Sequence, residues 1–202
     1  MKIVLASGNA GKLREFSQLF DTHFGDQNIE LVPQKELGVS DADETGLSFV
    51  ENAILKARHA CAATGLPALA DDSGIEVDAL KGQPGIYSAR FAAMHNAGSG
   101  DADNNSLLLQ KLQGVATEQR SARFQCVLVY MRHADDPTPQ IFQGSWEGTI
   151  LTSAAGSNGF GYDPLFWVES EQCASAELDK ARKNQISHRG QAIQQLIQRW
   201  RR

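Results

Sequence analysis

The first twelve residues constrain this chain more than any other stretch. Lys2-Ile3-Val4-Leu5-Ala6 reads as a buried strand and Ser7-Gly8-Asn9-Ala10-Gly11-Lys12 as a polar loop with two glycines. A helix then begins, with Leu13, Phe16, Leu19 and Phe20 on one face. Strand, loop and helix in this order aim backbone N–H groups and the positive end of a helix at an anion. Lys12 adds a mobile cation at the same place, so the chain is expected to open on a phosphate-binding site. A P-loop is excluded. That motif needs a glycine five residues before the glycine of the Gly-Lys pair and a hydroxyl after the lysine, where this chain has Ala6 and Leu13. Taken alone, the loop is equally well an ordinary strand-to-helix turn capped by Asn9.

The 202 residues suit one α/β domain, and 42% hydrophobic with 21% charged residues promises a sizeable core. A formal net charge of −5 argues against a nucleic acid polymer as partner, because non-specific affinity there comes from neutralising phosphates. It leaves room for a small phosphorylated ligand. No apolar stretch is long enough to span a membrane, and no signal-peptide core precedes the first strand. Cys61, Cys126 and Cys173 are too scattered for a metal site or a disulfide framework, and the first two read as buried thiols of a cytoplasmic protein.

Further along, Ile29 to Val32 reads as a strand and Ser40 to Glu44 as an acidic connector. Phe49 to Ala63 reads as a helix with the stripe Phe49, Ala53, Ile54, Ala57, Ala60 and Cys61, and Ser48 with Glu51 makes a capping box. Ala68-Leu69-Ala70 is expected to be a buried strand ending at Asp71-Asp72-Ser73-Gly74, with a second strand over Ile75 to Ala79. Asp101 to Leu112 reads as a helix capped by Asp101 or Asp103. Ser121 to Arg132, apolar on both faces, reads as a central strand, and Gln140 to Trp146 as its antiparallel partner. Leu165 to Val168 adds a strand, and a last helix carries Ile193, Leu196, Ile197 and Trp200. These elements predict an α/β fold with a mixed central sheet and flanking helices, one domain over 1–202.

Three further clusters can carry chemistry. Asp71-Asp72 offers hard oxygens suited to Mg²⁺, and only one of two adjacent strand residues can face a given site; a capped turn is the plainer alternative. In Ser157 to Pro164, glycines flank Phe160 and Tyr162 as in a platform for a flat base, where Asp163 could accept from ring N–H groups. Ser187-His188-Arg189-Gly190, with Lys183 just upstream, offers donors for carbonyl or phosphate oxygens, or a helix cap with exposed basic residues.

Together with Phe49 to Ala57 and Pro84 to Arg90, these blocks resemble the inosine triphosphate pyrophosphatase family, in particular its bacterial dITP/XTP branch. The resemblance spans nearly the whole chain. It implies hydrolysis of non-standard purine nucleoside triphosphates (dITP, ITP, XTP) to the monophosphate and pyrophosphate. It also implies a Mg²⁺ requirement, two lobes around a deep nucleotide-binding cleft, and a homodimer. Carried over by motif, Ser7, Gly8, Asn9, Ala10, Gly11 and Lys12 hold the triphosphate. Asp72 is proton acceptor and metal ligand, Glu44 a second metal ligand, and Ser73 contacts substrate. Phe160, Gly161, Tyr162, Asp163, Lys183, His188 and Arg189 form the nucleoside end. Many relatives have Thr where this chain has Ser7, which keeps the hydroxyl. A Maf-like pyrophosphatase is the rival within the same broad fold, and a non-hydrolytic nucleotide-binding module the rival outside it. Ser7-Gly8-Asn9 with Lys12 argues against the first, and Asp72 against the second.

Overall fold

The computed structural model describes residues 1–24 and 29–200. Among them are seven strands: β1 (Lys2–Ala6), β2 (Glu30–Pro33), β3 (Ala68–Val77), β4 (Ser121–Met131), β5 (Gln140–Ile150), β6 (Phe166–Val168) and β7 (Cys173–Ala174). The α-helices are α1 (Ala10–Phe24), α2 (Phe49–Thr64), α3 (Phe91–Met94), α4 (Asp101–Lys111), α5 (Lys180–Ile186) and α6 (His188–Trp200). The strands form one mixed sheet in the order β2-β1-β3-β4-β5-β6-β7, parallel for β1 with β2 and β3, antiparallel for β6 with β5 and β7. The expected α/β class and mixed sheet are therefore observed, with β4 central.

The chain divides into two compact units. The first holds Met1–Asp72, Cys126–Gly144 and Gln191–Arg202, the second Ser73–Gln125 and Ser145–Gly190. In the first, strand alternation sorts the core. Ile3, Leu5, Leu69, Cys126, Leu128 and Tyr130 pack on Phe16, Phe20 and Phe24 of α1 and on Ile193 and Leu196 of α6. The intervening Val4, Ala6, Ala68, Ala70, Val127, Val129 and Met131 pack on Ala53, Ala57 and Ala60 of α2. The alanines of that stripe let the helix lie close to the strands. In the second unit Ile75, Val77, Phe124, Trp146 and Phe166 gather around Leu108 of α4 and Leu112 just after it. Arg120 is buried there and donates to the carbonyls of Val115, Leu112 and Leu151, which anchors the end of α4 to the start of β4.

Several boundaries differ from the sequence expectations. Helix α1 begins at Ala10, because the Asn9 side chain accepts the Lys12 N–H at 3.0 Å and so closes the first turn early. Asp71 to Gly74 is not the end of a strand: β3 runs unbroken through it to Val77, and Asp78 already lies in a 3₁₀ turn. Neither Asp101 nor Asp103 caps α4, whose cap position is Gly100 at φ 90°; Asp103 instead reaches back to the Ser99 N–H at 2.7 Å. Strand β5 continues to Ile150, and α3, β7 and α5 add to the elements read from the sequence.

Candidate active site

The first unit holds the anion-facing residues. In the β1–β3 register Ala6 lies opposite Ala70, so the loop after β1 starts level with Asp71 and Asp72 of the adjacent β3. Ser7 Oγ accepts the Asn9 N–H at 3.3 Å, and Gly11 is buried at the start of α1. Gly8 passes so close to the acidic connector that a Cβ there would lie 2.8 Å from an Asp41 carboxylate oxygen. Asp41 is itself held by Gln34 Nε2 at 2.6 Å.

The two aspartates are both buried and point apart. Asp71 pairs with the Lys12 ammonium and accepts from Cys126 Sγ at 3.1 Å. Lys12 is thus tethered, where the sequence suggested a mobile cation. Asp72 Oδ1 lies 2.6 Å from Lys56 Nζ, and the same ammonium lies 3.0 Å from Glu44 Oε1. Burial pushes the Asp72 carboxyl above its ordinary range, Lys56 and Lys12 pull it back, and Glu44 adds to the rise. Burial pulls Lys56 down, but the Asp72 and Glu44 charges outweigh it and its ammonium is held above the usual lysine value. The second Asp72 oxygen is buried and has no hydrogen-bond partner among the described residues.

The second unit holds a group of aromatic and cationic residues. Phe160 is half-buried, with the Lys183 ammonium 5.3 Å and the Arg189 guanidinium 5.7 Å from its ring centroid. Arg189 Nη2 donates to Ser73 Oγ at 3.0 Å, so Ser73 and Arg189 lie together. The His188 ring stacks on Phe124, centroids 4.8 Å apart and planes within 10°. Asp163 is buried; it accepts from Lys183 Nζ at 2.6 Å, Ser175 Oγ at 2.9 Å and the Phe160 N–H at 2.8 Å. These donors stand where the sequence suggested ring N–H groups. Gly159 is the residue a Cβ would drive into that carboxylate. Tyr162 is buried and donates to the Ser88 carbonyl at 2.8 Å.

His188 and Arg189 depart from the expectation of exposed basic residues ahead of the last helix. Both are buried, in the first turn of α6, whose Gly190 N–H meets Ser187 Oγ at 3.2 Å. A Cβ on Gly190 would collide with the Asn184 carbonyl of α5, so glycine sets how tightly the two helices turn.

Lys56 is the site residue that sequence reasoning missed. Its signal was present: Phe49, Ala53, Lys56 and Ala60 follow the i, i+4, i+7, i+11 spacing of one helix face, so a charge sits on the core side of α2. A charge in that position calls for a buried counter-ion. Asp72 and Glu44 are those counter-ions.

Comparison with known proteins gives the family. Residues 3–199 match the family model described as the Ham1 family. The chain is 59% identical over 196 residues to a dITP/XTP pyrophosphatase of Vibrio cholerae, covering 97% of this chain and 94% of that protein. It is 58% identical over 200 residues to a dITP/XTP pyrophosphatase of Thioalkalivibrio sulfidiphilus, covering 98% of each. A solved HAM1 protein from Coxiella burnetii superposes with a TM-score of 0.87 at 48% identity, covering 98% of this chain and 97% of that one. Full-length matches of this identity leave one assignment: the chain belongs to the Ham1 family.

Proposed function

We propose that this protein hydrolyses non-standard purine nucleoside triphosphates, dITP, ITP and XTP, to the monophosphate and pyrophosphate. Its relatives of more than half identity bear the name dITP/XTP pyrophosphatase. The observation that carries the reading is Asp72: a buried carboxylate with a raised pKa, one oxygen held by Lys56 and the other with no hydrogen-bond partner among the described residues. A base needs an available oxygen and a pKa nearer the working pH than an ordinary aspartate has. Asp72 would take the proton of a water that attacks the α-phosphorus. Ser7 to Lys12 would bind the departing pyrophosphate through the N–H groups and positive end of α1 and the Lys12 ammonium.

The residues suit Mg²⁺. Among the described residues no three Asp, Glu, His or Cys side chains gather as a metal cluster. Mg²⁺, however, is usually held by one or two carboxylates together with substrate phosphates and waters. Asp72 and Glu44 are the carboxylates that would hold it. When bound, it would supply neutralisation of phosphate charge.

Base selection falls to the second set of residues. Phe160 would stack the purine, with Gly161 and Tyr162 shaping the platform. His188 and Arg189 would donate to the 6-carbonyl of hypoxanthine or xanthine, and both would face the 6-amino group of adenine donor to donor. Ser73 and Lys183 would complete the nucleoside end, and Asp163 would hold Lys183 and Phe160 in place. Leaving a buried donor unsatisfied costs about 1–3 kcal/mol. Arg189→Ala is therefore expected to lower the ITP over ATP preference by roughly 5- to 150-fold, measured as the ratio of kcat/KM values. An unchanged ratio would remove Arg189 from base selection.

The decisive assay is pyrophosphate release from ITP, XTP, GTP and ATP with and without Mg²⁺. Mg²⁺-dependent release from ITP and XTP, with little from ATP, is expected. No release from any purine, or preference for a pyrimidine triphosphate, would refute the reading and favour the Maf-like alternative; tight ITP binding without turnover would favour the binding module. We further propose that the protein works in the cytoplasm as one catalytic domain and as a homodimer. Light scattering would then report twice the 22.0 kDa chain mass. No helix among the described residues is long and apolar enough to cross a membrane.

A further inference from the structure

The sequence offers no reason why Asp101 and Asn105 should matter to a nucleotide. The structure places both on the backbone of Gly161. Gly161 donates its N–H to Asp101 Oδ2 at 2.7 Å, and its carbonyl accepts from Asn105 Nδ2 at 2.8 Å. The same Asn105 amide donates to the Asp101 carbonyl at 2.9 Å, so the two gripping residues are also tied to each other across one turn of α4. Gly161 has φ +63°, a left-handed conformation that the flanking residues inherit as the direction in which they leave the loop.

Its neighbours are anchored elsewhere. The Phe160 N–H is held by Asp163, and the Tyr162 hydroxyl by the Ser88 carbonyl. Residues 160, 161 and 162 are thus fixed by three separate parts of the second unit, and the α4 grip is the one made on the surface. Asp101 is exposed and Asn105 half-buried, whereas Asp163 and Tyr162 are buried. The core side of α4 is carried by other residues, Asn104, Leu107 and Leu108. Asn104 accepts the Ala92 N–H at 2.8 Å and holds the preceding segment in its own right.

We infer that Asp101 and Asn105 are positioning residues for base recognition, clamping the Gly161 peptide from both sides so that the Phe160 ring is presented at a fixed tilt. This rests on the reading of Phe160 as the platform on which the purine stacks. The clamp acts on the base alone. Its loss is expected to weaken binding of nucleotides that carry a base, leave the chemical step intact, and spare ligands that carry only phosphates.

The test compares Asp101→Ala, Asn105→Ala and Asp101→Asn with the wild type, each checked for an unchanged circular dichroism spectrum. The measurements are KM and kcat for ITP and competitive inhibition by inorganic tripolyphosphate, which has no base. Asp101→Ala and Asn105→Ala are each expected to raise the ITP KM about tenfold, the loss expected for one hydrogen bond of this kind. They should change kcat less than about threefold and leave the tripolyphosphate inhibition constant unmoved. Asp101→Asn keeps an oxygen acceptor for the Gly161 N–H and is expected to return KM to near the wild-type value. Unchanged KM in both alanine variants would overturn the inference. So would a parallel rise in KM and in the tripolyphosphate constant, which marks general loosening of the fold. A wild type that neither binds nor hydrolyses ITP would instead overturn the proposed function, and the clamp with it.

Discussion

Asp72→Asn is expected to lower ITP turnover by roughly 10²- to 10⁴-fold, the usual contribution of a general base, and to leave the melting temperature within a few degrees of wild type. Asparagine fills the same space but cannot take a proton. Two opposing effects on stability explain the small change in melting. Because burial raises the Asp72 pKa in the fold, the folded state binds that proton more tightly than the unfolded chain does. Stability therefore falls as pH rises from the ordinary carboxylate value through the folded one, and asparagine removes that loss. Against this, Lys56 loses one carboxylate but keeps Glu44 at 3.0 Å. In the wild type, kcat/KM is expected to rise with pH through an acid limb as Asp72 loses its proton, and the variant should lack that limb. Wild-type turnover in Asp72→Asn would assign the base elsewhere.

Asp163→Ala is expected to act on stability. It removes the carboxylate paired with the buried Lys183 ammonium, together with the acceptor for Ser175 and for the Phe160 N–H. Breaking a buried ion pair from one side costs about 3–5 kcal/mol. For a chain of this size that corresponds to roughly 6–20 °C in melting temperature. Lys183→Met added to the same chain should recover part of the loss, because it removes the ammonium as well, and a double-mutant cycle measures the pair. Additive effects in that cycle would show that the pair contributes nothing beyond its two separate halves.

What was legible in the sequence was local. The Ser48–Glu51 cap is read from four residues: Ser48 Oγ accepts the Glu51 N–H at 3.4 Å, and Glu51 Oε2 reaches back to the Leu47 N–H at 2.9 Å. The two-faced apolar pattern of Ser121 to Arg132 marked the central strand, observed over Ser121–Met131, and each face packs on different helices. Pairings between distant residues left no such mark. Nothing within a few residues of Asp163 says that Lys183 will neutralise it, and nothing near Asp101 says that it will hold Gly161. Asp71 to Gly74 misled for a different reason. Asp, Ser and Gly are turn formers by propensity, yet here the tetrapeptide lies within β3 between apolar residues that pack on both sides. Tertiary burial decided against local preference. For the same reason His188 and Arg189, polar at a helix start, are buried.

Asp71 and Asp72 reach different lysines because one follows the other along a strand. Their separate duties are a matter of parity, and parity responds to length and not to composition. One residue gained or lost in β3 ahead of Asp71 would turn each following side chain to the opposite face. Asp72 would then turn toward Cys126, and Asp71 toward α2. Many substitutions in Ala68 to Ala70 would weaken packing by degrees, whereas a single-codon insertion or deletion there would dismantle the site in one event. This short stretch can change in spelling but not in count.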